Sequence, residues 1–322
     1  MEKYSILLSN GRCMPAVGFG TWQATDEGEL ENALNTALEA GYRHIDAAPV
    51  YDNEKIIGRV LKKWIDSGKI KRSELFIVTK LPPSGNRPEH VEKWIQKSLE
   101  DLELEYLDLY LIHTPFGFED AGEDLHPQDE NGNIKLDKST DHVKVWVEME
   151  KQVECGRARA IGLSNFNSRQ IQRILDNAKN KVSMLQIELH VYFQQKELVQ
   201  YCKERDIPIT AYSPLGSRGL VRMLKKTEEV PDMLQNNVVL EIAKKYKKSA
   251  AQVLLRYILQ NGIAVIPKST NTQRIKENIQ LFDWNLKPED VETLKKLDKG
   301  ESARVCDFSF VKGIRRHPEF PF

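Results

Sequence analysis

Residues 41–58, GYRHIDAAPVYDNEKIIG, form the unit from which the rest of the chain can be read. Ala40-Gly41 closes a helical pattern, Arg43-His44-Ile45 reads as a buried strand, and Asp46 stands at its end. A loop carrying Tyr51 follows, and then a second amphipathic segment. Strand, polar end, loop and helix make a βα unit, and in a parallel barrel the chemistry sits at the C-terminal ends of the strands. Asp46 and Tyr51 are therefore candidates for half of an active site, whose other half should lie at later strand ends.

Working outward, the same pattern recurs. Ser5–Leu8, Ser9-Asn10-Gly11 and Arg12–Pro15 read as a β-hairpin, with Asn-Gly supplying the positive φ angles of a tight turn. The run 16–20 precedes a helix from Glu29 to Ala40, where Leu30, Ala33, Leu34, Ala37 and Leu38 keep the spacing of one buried face. His44–Asp46 precedes the helix 53–67, Leu75–Lys80 precedes 88–102, and Leu107–His113 precedes 143–154. Ala160–Ser164 is followed by 168–178, Met184–Glu188 by 196–205, Pro208–Tyr212 by helical sequence over 238–260, and Ile263–Pro267 by 272–278. Eight apolar strands, each with a helix behind it, predict one (β/α)8 TIM barrel over residues 1–322. A doubly wound sheet should carry GxGxxG, and Gly18-Phe19-Gly20-Thr21-Trp22-Gln23 has Gln where the third Gly belongs. Residues 114–141 and 213–237 exceed ordinary loop length and follow strands, so both are expected over the C-terminal mouth. The tail 299–322, with Phe308, Phe310, Phe320 and Phe322, is too aromatic to prefer solvent and is expected to cover the same mouth.

Composition narrows the class. Of the 322 residues, 29% are charged and 40% hydrophobic, net charge is +0, and no run is long and apolar enough for a bilayer. Neither nucleic acid nor a membrane is an expected partner. Cys13, Cys155, Cys202 and Cys306 lie far apart with no CxxC pair, reading as reduced thiols of a cytoplasmic protein, and no metal is expected.

The polar residues at the strand ends are Asp46, Lys80, His113, Ser164-Asn165, Gln186, Tyr212-Ser213 and Lys268-Ser269, with Tyr51 in the loop after the second strand. Singly, each has a structural use: Asp46 could cap backbone amides, Lys80 could be a surface lysine, and Tyr212 a strand-end aromatic. Strand ends of one barrel meet at one mouth, and so many polar groups there exceed structural need.

In these residues the chain resembles the aldo-keto reductases. GYRHIDAAPVY…NE…IG is similar to the first signature of that family, LDLYLIHTP to its histidine motif, IGLSNF to its cofactor-amide motif, and IPKSTNTQRIKEN to its C-terminal signature. The resemblance covers nearly the whole chain in the family's order. It implies NADP(H)-dependent reduction of small-molecule aldehydes and ketones by a monomer. The general flavour is that of the insect branch, which includes 3-dehydroecdysone reductases. Candidate substrates are aldehydes, sugars and ketosteroids.

Carbonyl reduction needs a hydride at carbon, a proton at oxygen and stabilisation of alkoxide charge between them. Tyrosine, with a pKa of about 10, is a weak acid at neutral pH. A nearby ammonium should lower that pKa, and a carboxylate beside the ammonium keeps it charged and placed. The resemblance implies that Tyr51 is the general acid, Lys80 and Asp46 tune it, and His113 orients the carbonyl. It places Thr21, Trp22 and Asp46 beside the cofactor, Ser164, Asn165 and Gln186 at the nicotinamide amide, and Tyr212 on the nicotinamide face. Ser213, Leu215 and Ser217 fall at the pyrophosphate, Lys268, Ser269, Thr270 and Arg274 at the 2′-phosphate, and Glu277 and Asn278 at the adenine. Cations near a dianion make charge-assisted contacts, which favours NADP(H) over NAD(H). Substrate would meet Trp22, Val50, Tyr51, His113, Phe118, Phe308 and Phe310.

Four positions depart from the family. Many relatives clasp the pyrophosphate with a Lys and an Asp where this chain has Gln23 and Gly219, which implies weaker clamping unless Arg218 or Arg222 substitutes. Pro82 and Thr114 stand where aldose-reductase-like relatives carry aromatics, which implies room for bulkier carbonyls. Two rivals stand beside this reading. One is a Schiff-base barrel enzyme using Lys80; the other is a crystallin-like member that binds nucleotide with little turnover.

Overall fold

Alternation along short strands builds the barrel. The computed structural model describes residues 4–322, so the first three residues of the expected N-terminal hairpin segment lie outside it. The barrel strands are β1 (Phe19–Gly20), β2 (His44–Asp46), β3 (Phe76–Leu81), β4 (Leu109–Ile112), β5 (Ile161–Ser164), β6 (Leu185–Glu188), β7 (Ile209–Tyr212) and β8 (Ala264–Val265). They form one sheet in chain order, every pair parallel. Val17 bridges Val265 in parallel, with Gly18 N donating to Val265 O (2.8 Å) and Val265 N to Ala16 O (2.9 Å). Those bonds close the sheet into the (β/α)8 barrel.

Because side chains alternate along a strand, each strand sends one set outward and the other toward the axis. Ile45, Ile77, Tyr110, Ile161, Leu163, Leu185, Ile187 and Val265 join the large cluster packed against the helices. Phe76, Val78, Leu109, Leu111, Ala160, Met184 and Ala264 fill the interior, where Leu8 and Met14 of the hairpin plug the lower end. That hairpin pairs Ser5–Leu7 with Cys13–Pro15. On β3 the inward parity Phe76–Val78 continues to Lys80, so the sequence spacing alone carries an ammonium onto the axis at the upper end.

The helices follow their caps. Asp26 accepts from Glu29 N and starts α1 (Glu27–Glu39). Helix α2 (Glu54–Asp66) starts after Asn53, whose side chain instead bonds the carbonyls of Thr21 and Ala24. The expected helix 238–260 is two, Asn237–Tyr246 and Ala250–Gln260, because Lys247 takes a left-handed φ of 53° and Ser249 opens a new capping box with Gln252. The expected helix 168–178 ends at Leu175. Sequence reading also missed a helix at Pro288–Lys295, and a short one, Arg218–Met223, inside the second long loop. The first long loop holds a two-stranded ribbon, Gly117–Phe118 with Leu136–Asp137. Among the described residues no helix is long and apolar enough to cross a membrane.

The glycine that ends the decisive stretch has a packing reason. A Cβ on Gly58 would press on the Asp101 carbonyl and come within 2.7 Å of the Leu102 carbonyl carbon, so α2 can lie against the end of α3 (Pro88–Asp101) only without a side chain there. Gly58→Ala is therefore expected to destabilise the protein by about 1–3 kcal/mol, as overpacking generally does. Denaturant unfolding measures this, and an unchanged midpoint would show that the contact carries no constraint.

Candidate active site

The upper ends of the inward rows converge. Lys80 has 0% of its surface exposed. Its Nζ donates to Asp46 Oδ1 (2.7 Å), the Ala47 carbonyl (2.8 Å) and Tyr51 Oη (3.2 Å). Tyr51 reaches it because Pro49–Tyr51 forms a 3-10 turn straight after β2, ended by Asp52 at a left-handed φ of 54°. The Tyr51 and His113 rings meet edge to face, centroids 5.7 Å apart. Asp46 is held from its other side, where Gln186 Nε2 donates to Oδ2 (2.7 Å), and Thr21 Oγ1 donates to its backbone carbonyl (2.8 Å).

Burial sets the protonation states. It lowers the His113 pKa well below the usual 6.5, and the Lys80 charge lowers it further. The imidazole is therefore neutral through the physiological range; its Nδ1 is buried without a partner, leaving Nε2 as the ring nitrogen toward the cavity. Tyr51 corrects an expectation. Burial and the Asp46 charge push its phenol well above 10, so the nearby ammonium does not bring it down. A phenolate here would lose more hydration than one cation already paired with Asp46 returns. Tyr51 thus keeps its proton at neutral pH, the form an acid needs. Burial likewise lowers the Lys80 pKa, against Asp46.

A cavity of about 480 Å³ runs across this cluster. Its wall includes Lys268, Ser269, Arg274 and Asn278 from the segment after β8, Asp46, Tyr51, His113, Ser164, Asn165, Gln186 and Tyr212 from the other strand ends, and Phe118, Phe308 and Phe310 from the first long loop and the tail. Thr21, Trp22, Val50, Ser213, Leu215 and Ser217 also reach it, whereas Thr270 and Glu277 do not. Glu277 instead accepts from Gln273 Nε2 (2.7 Å) on the outer face of its helix. Asn165 is spent within the protein: Nδ2 donates to the His113 carbonyl (2.9 Å) and Ser164 Oγ (3.1 Å), and Oδ1 accepts from Tyr212 Oη (2.7 Å). It ties β4, β5 and β7 together and sets the Tyr212 ring. Gln186 offers its oxygen to a ligand, its nitrogen being committed to Asp46.

Residues missed by the sequence reading come mostly from the long loops: Phe116, His126, Leu234, Cys306 and Val311. Phe116 lies between Phe118 (stacked, 5.8 Å) and Phe308 (edge to face, 5.0 Å). The aromatic run FGF was the only hint of it. Pro83, rather than Pro82, lies on the wall beside Thr114. Gln23 and Gly219 do face each other, since a Cβ on Gly219 would lie 3.8 Å from Gln23 Oε1. Arg218 reaches the cavity but is paired with Asp232 at 2.9 Å, and Arg222 is not on the wall.

A model of the Aldo/keto reductase family matches residues 16–299. The chain belongs to that family. This aldo/keto reductase is 43% identical to aldo-keto reductase family 1 member A1 of Mus musculus, covering 100% of this chain and 99% of the mouse protein. The Homo sapiens protein of the same name is 42% identical at the same coverage. Among solved structures it matches the aldose reductase from Schistosoma japonicum with a TM-score of 0.90 and 42% identity, over 99% of this chain and 98% of that one. It is an oxidoreductase of carbonyl compounds, and its family generally works with NAD(P)H.

For this reductase burial predicts silent titrations. In an NMR titration the His113 ring is expected to stay neutral at the pH where an ordinary imidazole is already half protonated, because burial and the Lys80 charge lower its pKa well below 6.5. Labelled Tyr51 should remain a phenol up to about pH 10. A transition of either group near neutrality would contradict the assignment.

Proposed function

We propose that this reductase converts aldehydes and ketones to alcohols with NADPH, with Tyr51 as the general acid and residues 1–322 acting as one catalytic barrel. The observation that carries the reading is the buried Lys80 ammonium bridging Asp46 and Tyr51, which line the cavity, with the Tyr51 ring edge to face with His113. Bound NADPH supplies the hydride. Tyr51, protonated through neutral pH, gives its proton to the carbonyl oxygen as alkoxide character develops, and the adjacent ammonium stabilises the phenolate left behind. His113, neutral, donates to the same oxygen from Nε2 and orients the carbonyl. Asp46, held by Gln186, keeps Lys80 charged and in place.

The donor set after β8 suits a nucleotide phosphate. Lys268 and Arg274 have no carboxylate within 4 Å among the described residues, and burial followed by the Arg274 charge lowers the Lys268 pKa despite Glu29. Two cations held close enough to repel favour a dianion between them, which supports NADPH over NADH. On the cavity wall Phe116, Phe118, Phe308 and Phe310 favour apolar or aromatic carbonyls. The Schiff-base alternative fits poorly, since Lys80 Nζ is fully enclosed by three oxygen partners. The intact Asp46, Tyr51, Lys80 and His113 set also argues against a member with little turnover.

Three experiments test this. Tyr51→Phe is expected to lower kcat for benzaldehyde by roughly 10²–10⁴-fold while NADPH still binds; near-normal kcat would remove Tyr51 from the role. Arg274→Ala should weaken NADPH binding about tenfold or more, the loss of one charged contact, and leave NADH unchanged. Equal effects on the two nucleotides would refute the phosphate contact. Stopped-flow traces in the same series should show rapid release from the wild type, since Gln23 and Gly219 cannot form an ion pair over the pyrophosphate. Release as slow as in a relative with Lys and Asp there would count against weak clamping.

A further inference from the structure

We propose that Glu188 is a positioning residue that holds the C-terminal tail in place as the substrate wall, an inference that rests on the carbonyl-reductase reading above. Glu188 ends β6, two residues beyond Gln186 on the same inward parity, yet it does not reach the catalytic cavity. It is 1% exposed. One oxygen accepts from Val305 N (2.8 Å) and faces His190 Nε2 at 3.1 Å; the other accepts from Cys306 N (2.7 Å). A carboxylate at such a place is costly unless its lone pairs are filled, and two consecutive backbone amides fill them with charge-assisted bonds.

The segment so held is the one that turns into the cavity. Cys306, Phe308, Phe310 and Val311 all line it, and all lie at or just beyond the clamped amides. The stretch is also held by Lys226, which bonds the Arg304 carbonyl (3.2 Å) and pairs with Asp307 (3.0 Å), by the Arg304 guanidinium lying over the Phe193 ring (4.4 Å), and by the Phe116–Phe308 contact. The anchors His317 and Glu319 act farther along the tail. Of these holds, Glu188 binds the tail backbone directly from a barrel strand, so it sets where the tail enters the mouth and, through Phe308, the distance to Phe116. Glutamine has the same shape but presents an NH2 to one of the two amide donors, so it loses one bond and opposes donor to donor.

The test uses the full chain and Glu188→Gln. Hydrogen exchange of residues 303–311 is expected to rise at least about tenfold in the variant, with barrel peptides unchanged. KM for a bulky aromatic aldehyde such as 4-nitrobenzaldehyde should rise roughly tenfold, while kcat for propanal stays within about twofold. Unchanged tail exchange, or an equal loss on both aldehydes, overturns the proposal. Should the variant fail to fold, the wild type decides: the Val305 and Cys306 amides must exchange as slowly as those of β6, and fast exchange there overturns it. The exchange results stand whatever the turnover, so a wild type inactive with NADPH would refute the catalytic reading without touching the anchor.

Discussion

An ammonium with no exposed surface is the constraint on which the upper barrel depends. Removing a lysine from water costs several kcal/mol, and only close partners with good geometry offset it. Lys80 obtains them from Asp46, the Ala47 carbonyl and Tyr51, all supplied by eight residues of one strand and its turn. That requirement fixes the 3-10 turn at Pro49–Tyr51 and with it the direction of the phenol. Asp46 in turn needs a second donor, which Gln186 brings from the other side of the barrel. The proposed chemistry and the fold therefore share one set of bonds, and the residues proposed to tune the proton also hold β2, β3 and β6 in register.

Around this rigid floor the walls are built differently. The floor is made of strand ends, whose positions follow from barrel closure. The aromatic end of the cavity comes from residues 116–118 and the tail, joined by ring contacts and by His317 Nε2 donating to the carbonyl of Asp137 (2.7 Å), the ribbon partner of Gly117. On the proposed reading, substrate selection can thus change with the loops while the Asp46–Lys80–Tyr51 group stays as it is.

The comparison of sequence with structure divides along the same line. Strand order, helix faces and the meeting of Asp46, Lys80 and His113 were legible because period-two alternation and the eightfold unit act locally and repeat. The break at Lys247 was not legible, since a lysine in the left-handed region has no sequence signature as strong as glycine's. Nor was the sign of the Tyr51 shift: motif logic counts the ammonium beside the phenol, but burial is a property of the whole neighbourhood and outweighs it.

By itself the sequence determined that this chain closes an eight-unit barrel and that the residues of GYRHIDAAPVYDNEKIIG stand at its chemical end, because parity along β2 and β3 leaves an inward acid and an inward lysine no other place. Tertiary structure alone decided what those residues meet. Gln186 turned out to brace Asp46, Asn165 to brace Tyr212, and Glu188 to grip two tail amides more than a hundred residues away. Such contacts depend on which loop lies over which strand end, and no local pattern of spacing encodes that.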